Sequence, residues 1–366
     1  MLSYIIKRCL LMIPTLLGIM LVSFVIIQFV PGGPVEKMIS ELQGHGTSAT
    51  ARLSGSGGDM GTSSGGQSSR GQSSDYKGAQ GLDPEFIKEL EAMYGFDKPA
   101  HIRFLNMMGN YLTFNLGDSY YRDVGVLELV VEKMPVSISL GLWSTLIIYL
   151  ISIPLGIKKA VHDGSKFDIW TSVTVFVGYA IPSFMFAILL IIVFAGGRYF
   201  DFFPLRGLTS DGWEEMTMLQ AILDYAWHMV LPTAAMVISG FAGLTMLTKN
   251  SFLDEIGKQY VLTARAKGLA ENRVLYGHIF RNAMLIVIAG FPALFISVFF
   301  TGSLLIEVIF SLDGLGLLSY ESIINRDYPV VLGTLYIFSL MSLIMHLLRD
   351  LVYVWIDPRI DFNSRD

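Results

Sequence analysis

Six apolar runs punctuate the chain, near residues 9–30, 136–157, 168–195, 226–248, 283–306 and 329–348. Each is close to the ~20 helical residues that span a hydrocarbon core. The pattern predicts an all-α integral membrane protein with six transmembrane helices. The run 9–30 outlasts the h-region of a secretory signal, about 7–15 residues, and no small-x-small cleavage site follows it, so it reads as a retained span. Basic residues set the orientation. Lys7, Arg8, Lys158, Lys159, Lys166, Lys249, Lys258, Arg265, Lys267, Arg273, Arg281, Arg349, Arg359 and Arg365 fall on one side, against Arg198, Arg206 and Arg326 in the short loops opposite. By the positive-inside rule both termini are cytoplasmic.

Composition agrees: 52% hydrophobic, 16% charged and a mean hydropathy of +0.54 lie outside the range of a soluble domain. A net charge of -5 and a pI near 5.7, with no concentrated basic face, exclude nucleic acid as a partner and leave membrane lipid as the surrounding medium. The lone cysteine, Cys9, permits neither a disulfide framework nor a cysteine-rich metal site. No HExxH and no grouping of nucleophile, base and orienting residue occurs, so the chain is expected to have no catalytic residue, metal or cofactor of its own. The middles of the runs lack Asp, Glu, Lys and Arg, and His228 and His346 fall near ends where water is expected. Ion-coupled carriers place ionisable groups near the midplane, so ion coupling is disfavoured.

The order along the chain suggests three parts: an N-terminal end and first span at 1–30, an outward segment at 31–135, and a five-helix core at 136–366. Within the outward segment, 20 of the 38 residues in 44–81 are Gly or Ser, a composition that cannot offset the entropy of ordering and predicts a flexible loop. Order is expected again over 83–133 as a small helical cap, with Asp83 as N-cap, Pro84 at the first helical position and Gly95 at the stop. Its residues suit a scaffold or a docking surface for an external partner. Pro182 in GYAIPSF and Pro292 in GFP interrupt the third and fifth runs. Each predicts a bend, for packing or for lining a pathway.

The cytoplasmic loop 249–282 breaks the apolar pattern. Its first half, SFLDEIGKQYVLTARAK, is helix-prone, with Asp254 and Lys258 at supporting i,i+4 spacing. Tyr260, Ala264 and Gly268 fall on one face and predict a narrow strip of small residues for a partner to pack on. Gly268 suits a helix stop, with Leu269 folding back beyond it. ENRVLYGHIFRN then predicts a second helix leading into the fifth run. The expected object is a helix, a glycine turn and a helix, projecting from the membrane face.

TARAKGL followed by HIFRNA (278–283) resembles the coupling loop of binding-protein-dependent ABC importer permeases, in the version of the dipeptide, oligopeptide and nickel branch. IKRCLLMIPTLLGI, YGFDKP, NLGDSYY, IEVIFSLDGLGLLSYESIINRDYPVV and IDPRIDF resemble the same branch in the same order. The likeness covers nearly the whole chain apart from the Gly/Ser stretch. The general family form is Glu-Ala-Ala with a glycine three residues on; here Thr263, Ala264 and Arg265 replace the triplet and Gly268 keeps the glycine.

The resemblance implies a type I ABC importer permease fold in a bacterial inner membrane. It also implies a second, non-identical permease subunit, an ABC ATPase subunit and a periplasmic peptide-binding protein that delivers a peptide substrate. Tyr260, Thr263, Ala264, Arg265, Ala266, Lys267 and Gly268 would couple to the ATPase as an inserted helix, with Arg265 and Lys267 at its rim. Arg281 and Asn282 would fix the second helix to the membrane. Glu307, before the turn SLDGLG, would be a hydrated loop carboxylate or an element of an outer gate, beside Pro182 and Pro292 as pathway candidates. ATP and Mg2+ would belong to the partner ATPase. SSGGQ (63–67) is similar to an ATPase signature but lies in the outward Gly/Ser tract, and Gly257-Lys258 lacks the phosphate-loop context. A permease of the same branch for nickel complexes or glutathione, and a non-transporting receptor, remain the alternatives.

Overall fold

The computed structural model describes residues 2–29, 33–35, 96–197, 199–300 and 303–356. The Gly/Ser-rich stretch 44–81, the expected helix start at 83–95, Arg198, Arg359 and Arg365 lie outside the described residues. In chain order the helices are α1 (Leu2–Phe29), α2 (Ala100–Tyr111), α3 (Val126–Val161), α4 (Lys166–Ala180), α5 (Ser183–Phe194), α6 (Met218–Ile256), α7 (Gln259–Ala266), α8 (Glu271–Val274), α9 (Phe280–Phe300), α10 (Ser303–Ile309), α11 (Leu315–Asn325) and α12 (Tyr328–Ile356). A π-helical turn, Leu275–Ile279, joins α8 to α9.

Among the described residues five helices are long and apolar enough to cross a membrane: α1, α3, α6, the helix that starts at Glu271, and α12. α4 and α5, bent by 94° at the break between them, pass the same test together and make a sixth when the pair is counted as one span. The third apolar run is therefore two arms rather than one rod. Ile181 is extended (φ -87, ψ 119) ahead of Pro182, because the proline ring disfavours helical backbone in the residue before it. A bend this sharp exceeds a packing kink. At Pro292, by contrast, α9 stays helical, and the proline side chain lies outside the described residues.

The chain forms two compact units, Met12–Glu132 with Leu318–Ser339, and Lys133–Leu317 with both chain ends. In the first, aromatic pairs tie α1 to α2 (Phe24 and Phe104, 5.4 Å between centroids) and α2 to α12 (Tyr111 and Tyr336, 5.1 Å). Asp327, at the start of α12, accepts hydrogen bonds from Ser119 Oγ and from Tyr120 N at 3.1 Å. Burial pushes its carboxyl up from the usual range, against the pull of these donors. NLGDSYY and NRDYPVV, far apart in sequence, thus form one hydrogen-bonded corner.

In the second unit α3, α5, α6, α9 and α10 surround a core that includes Leu140, Ile148, Ala187, Phe252, Ile279, Val287 and Ile306. Ser152 Oγ reaches across to Phe241 O at 3.0 Å. At the cytoplasmic ends three helices share a charge cluster. Lys159 Nζ, fully buried, lies 3.0 Å from Asp168 Oδ1 and donates to Asp168 O, Thr171 Oγ1 and Ser172 Oγ at 2.7–2.9 Å. Lys249 lies 2.7 Å from Asp168 Oδ2 and 2.8 Å from Asp163. His228, expected in water, is buried, its Nδ1 2.8 Å from Asp224 O.

Glu307 also departs from its expected hydrated position. It is fully buried, accepting hydrogen bonds from Ser137 Oγ at 3.1 Å and Leu317 N at 2.7 Å. A Cβ on Gly314 would lie 2.5 Å from its carboxyl oxygen. The glycines of SLDGLG are what let the turn close over this carboxylate. Buried charges of this kind are costly to leave uncompensated, about 3–5 kcal/mol when one partner of a pair is removed. Asp168→Asn, which takes from the buried Lys159 its carboxylate partner while Lys249 keeps Asp163, should therefore lose about 3 kcal/mol of stability and lower the thermal midpoint of the purified protein in detergent. An unchanged midpoint would mean the cluster is hydrated.

Candidate functional site

The cytoplasmic loop is built on an interruption of helix, not an extension of it. α6 ends at Ile256 with Gly257 as its cap, so SFLDEIGKQYVLTARAK is two helices meeting at Gly257-Lys258. Lys258 pairs with Glu255 rather than with the expected Asp254. α7 then runs for two turns and stops where Gly268 takes the left-handed conformation, φ +80, which costs glycine nothing and other residues about 1–2 kcal/mol. Gly268 N donates to Arg265 O at 2.9 Å and Leu269 N to Ala264 O at 3.4 Å, and Leu269 packs back on the core. The glycine stop and the fold-back match the sequence expectation.

The faces of α7 do not match it. Val261 and Ala264 are buried in the protein's own core, with Tyr260 packed against it. The strip expected to meet a partner therefore faces inward at Ala264 and Tyr260. Helical phase explains the reversal, because Val261, the most apolar position in register with Ala264, pulls that side into the core. The exposed surface of α7 is Gln259, Leu262, Thr263, Arg265 and Ala266, with Lys267 and Gly268 beyond its end. Leu262 is 58% exposed, an apolar side chain with Ala266 one turn further along.

A polar junction mounts α7 on its neighbours. Tyr260 Oη donates to Glu255 Oε2 at 2.6 Å and accepts from Asn282 Nδ2 at 3.3 Å, while Lys258 holds the other Glu255 oxygen. Glu255 belongs to α6 and Asn282 to the first turn of α9. Burial and the bond to Glu255 push the Tyr260 phenol up, and the same carboxylate raises Lys258. Both therefore keep their protons at neutral pH. Arg265 makes a two-pronged pair with Glu271, Nε to Oε1 at 2.9 Å and Nη2 to Oε2 at 3.0 Å, bracing α7 against α8. Arg281 is exposed.

Pro182 is exposed at the bend and Glu307 is enclosed by its own turn. A cavity of about 900 Å³ opens instead beside α3 and α6, lined by residues including Trp143, Tyr225, Met229, Thr233 and Phe241. Sequence reasoning missed Glu255, Leu262 and Glu271. Leu262 was open to detection, since on a 3.6-residue helix it stands about 100° round from Val261 and about 160° from Ala264. The partners of Glu255 were not, because three carboxylates flank the loop and spacing favours Asp254.

Comparison with known proteins places these features. Residues 152–362 match the family described as "Binding-protein-dependent transport system inner membrane component". The "Peptidoglycan transport system permease protein YejB" of Agrobacterium fabrum is 63% identical over 364 residues, 100% of this chain and 99% of that protein. The "Inner membrane ABC transporter permease protein YejB" of Escherichia coli O157:H7 is 57% identical, covering 99% and 100%. The "Oligopeptide transport system permease protein AppB" of Bacillus subtilis is 34% identical, covering 99% and 100%. The branch resemblance seen in the motifs is borne out, as is the specific likeness to YejB that their density suggests. The chain belongs to the binding-protein-dependent transport system inner membrane components: it is a multi-pass inner-membrane permease subunit of an ABC importer, and not itself an enzyme.

Proposed function

We propose that this permease imports oligopeptides or peptide-like compounds, and that the exposed surface of α7 is where it receives the ATPase. The observation that carries the docking reading is Leu262 with Ala266, exposed beside Arg265 and Lys267 on a helix that the core and Glu255 hold in place. An apolar anchor ringed by polar residues is the usual anatomy of an interaction hot spot. The substrate reading rests on relatives named for peptidoglycan and oligopeptide transport. A second, non-identical permease completes the pathway, and a periplasmic binding protein delivers the cargo. ATP and Mg2+ belong to the ATPase subunit, so this chain needs no cofactor. Thr263, Ala266, Lys267 and Gly268 serve docking, whereas Tyr260, Ala264 and Asn282 serve the mounting.

Copurification from native expression tests the docking face. Wild type should bring down an ABC ATPase and a second permease, while Leu262→Asp should lose the ATPase and keep the sister subunit. Burying a leucine is worth about 2 kcal/mol, so the expected loss is at least roughly tenfold. Equal recovery of the ATPase with the variant would remove Leu262 from the interface. Uptake of labelled di- to hexapeptides by cells with the intact complex tests the substrate class. Accumulation should depend on this chain, and uptake of nickel complexes or glutathione in its place would overturn the peptide reading.

A further inference from the structure

We infer that Tyr260, through Glu255 and Asn282, is the positioning residue that passes movement of α7 to the spanning helices α6 and α9. The inference rests on α7 being the ATPase-docking helix and adds how that helix is geared to the membrane part. α7 has eight residues, Gln259–Ala266, too few to hold an orientation by itself. Its covalent ends are compliant. On one side the helix is broken at Gly257-Lys258. On the other, Gly268 turns the chain into the four-residue α8, and the π-helical turn Leu275–Ile279 follows before α9 begins.

A π turn re-registers the hydrogen-bond ladder and is a common place for a helix to yield. A push delivered along the backbone route would meet that turn before reaching α9. The Tyr260 hydroxyl bypasses it. One atom bonds to Glu255 at the end of α6 and to Asn282 beyond the π turn. The apolar contacts of Val261 and Ala264 give cohesion without direction, whereas these hydrogen bonds fix angle and register. Glu255 is nearly buried and its second oxygen is held by Lys258, so the acceptor is pre-aimed. Displacement of α7 therefore moves α6 and α9 as one rigid body.

The test uses the whole complex in proteoliposomes, with its binding protein and labelled tetra-alanine as probe, and reads peptide delivered per ATP hydrolysed. Tyr260→Phe, which keeps the ring and removes the hydroxyl, should retain the ATPase and lower that ratio roughly tenfold, the factor carried by one charge-assisted hydrogen bond. Glu255→Leu, which leaves the phenol no acceptor on α6, should lower it similarly. The double variant should be no worse than either single one, because both remove the same bond. An unchanged ratio, or additive losses, would overturn the joint while leaving the importer reading intact. Loss of the ATPase from Tyr260→Phe would also overturn it, making the residue a docking or folding element. A wild-type complex that carries no ATPase would sink the importer reading itself, and the joint with it.

Discussion

Glu255 sits where a spanning helix stops, nearly buried, with one oxygen on Tyr260 and the other on Lys258. A carboxylate in that position must be satisfied from several directions, since desolvation without partners costs more than a single contact returns. Its donors are Lys258, just ahead of α7, and Tyr260 within it, and Tyr260 in turn ties in α9. The requirement of one buried charge thus sets the attitude of the cytoplasmic projection. What the projection shows to the outside follows from that attitude: Leu262 and Ala266 out, Val261 and Ala264 in.

The same economy recurs elsewhere in this unit. Lys159, Asp168 and Lys249 pin three helices at their cytoplasmic ends, and Glu307 organises the turn that closes over it. Lys159, Asp168 and Glu307 stand within a turn of a helix end, where backbone groups lack intrahelical partners and can serve as ligands. Between these anchors the spans meet through apolar side chains and hydroxyls such as Ser152, the contacts a lipid environment favours because they leave no unpaired charge. An arrangement pinned at its ends suits a part that moves as a body rather than deforming within the membrane.

Much of this was legible from the chain alone. Hydropathy located the five long apolar helices and the bent pair α4–α5, and the flanking basic residues predict their orientation. The glycine stop at 268 and the fold-back of Leu269 were readable because a left-handed backbone demands glycine and caps obey local rules. The sharp break before Pro182 was readable as a bend but not as an angle of 94°, since proline sets where the helix stops and packing sets where the next begins. The face of α7 was misjudged because small residues suit either close packing inside or a tight fit outside. Only the neighbouring core distinguishes the two.

Sequence by itself determined the class of molecule, its spans and their orientation, the position of the cytoplasmic projection and the family to which it belongs. These follow from local chemistry: apolar length, flanking charge, and turn residues at fixed offsets. Tertiary structure alone decided which side of α7 is free, which of the nearby carboxylates holds Tyr260, and that Glu307 is enclosed rather than hydrated. Each of those depends on groups distant in the chain arriving within hydrogen-bond reach. Spacing along a sequence carries no record of that meeting, because one spacing is compatible with several partners and burial selects among them.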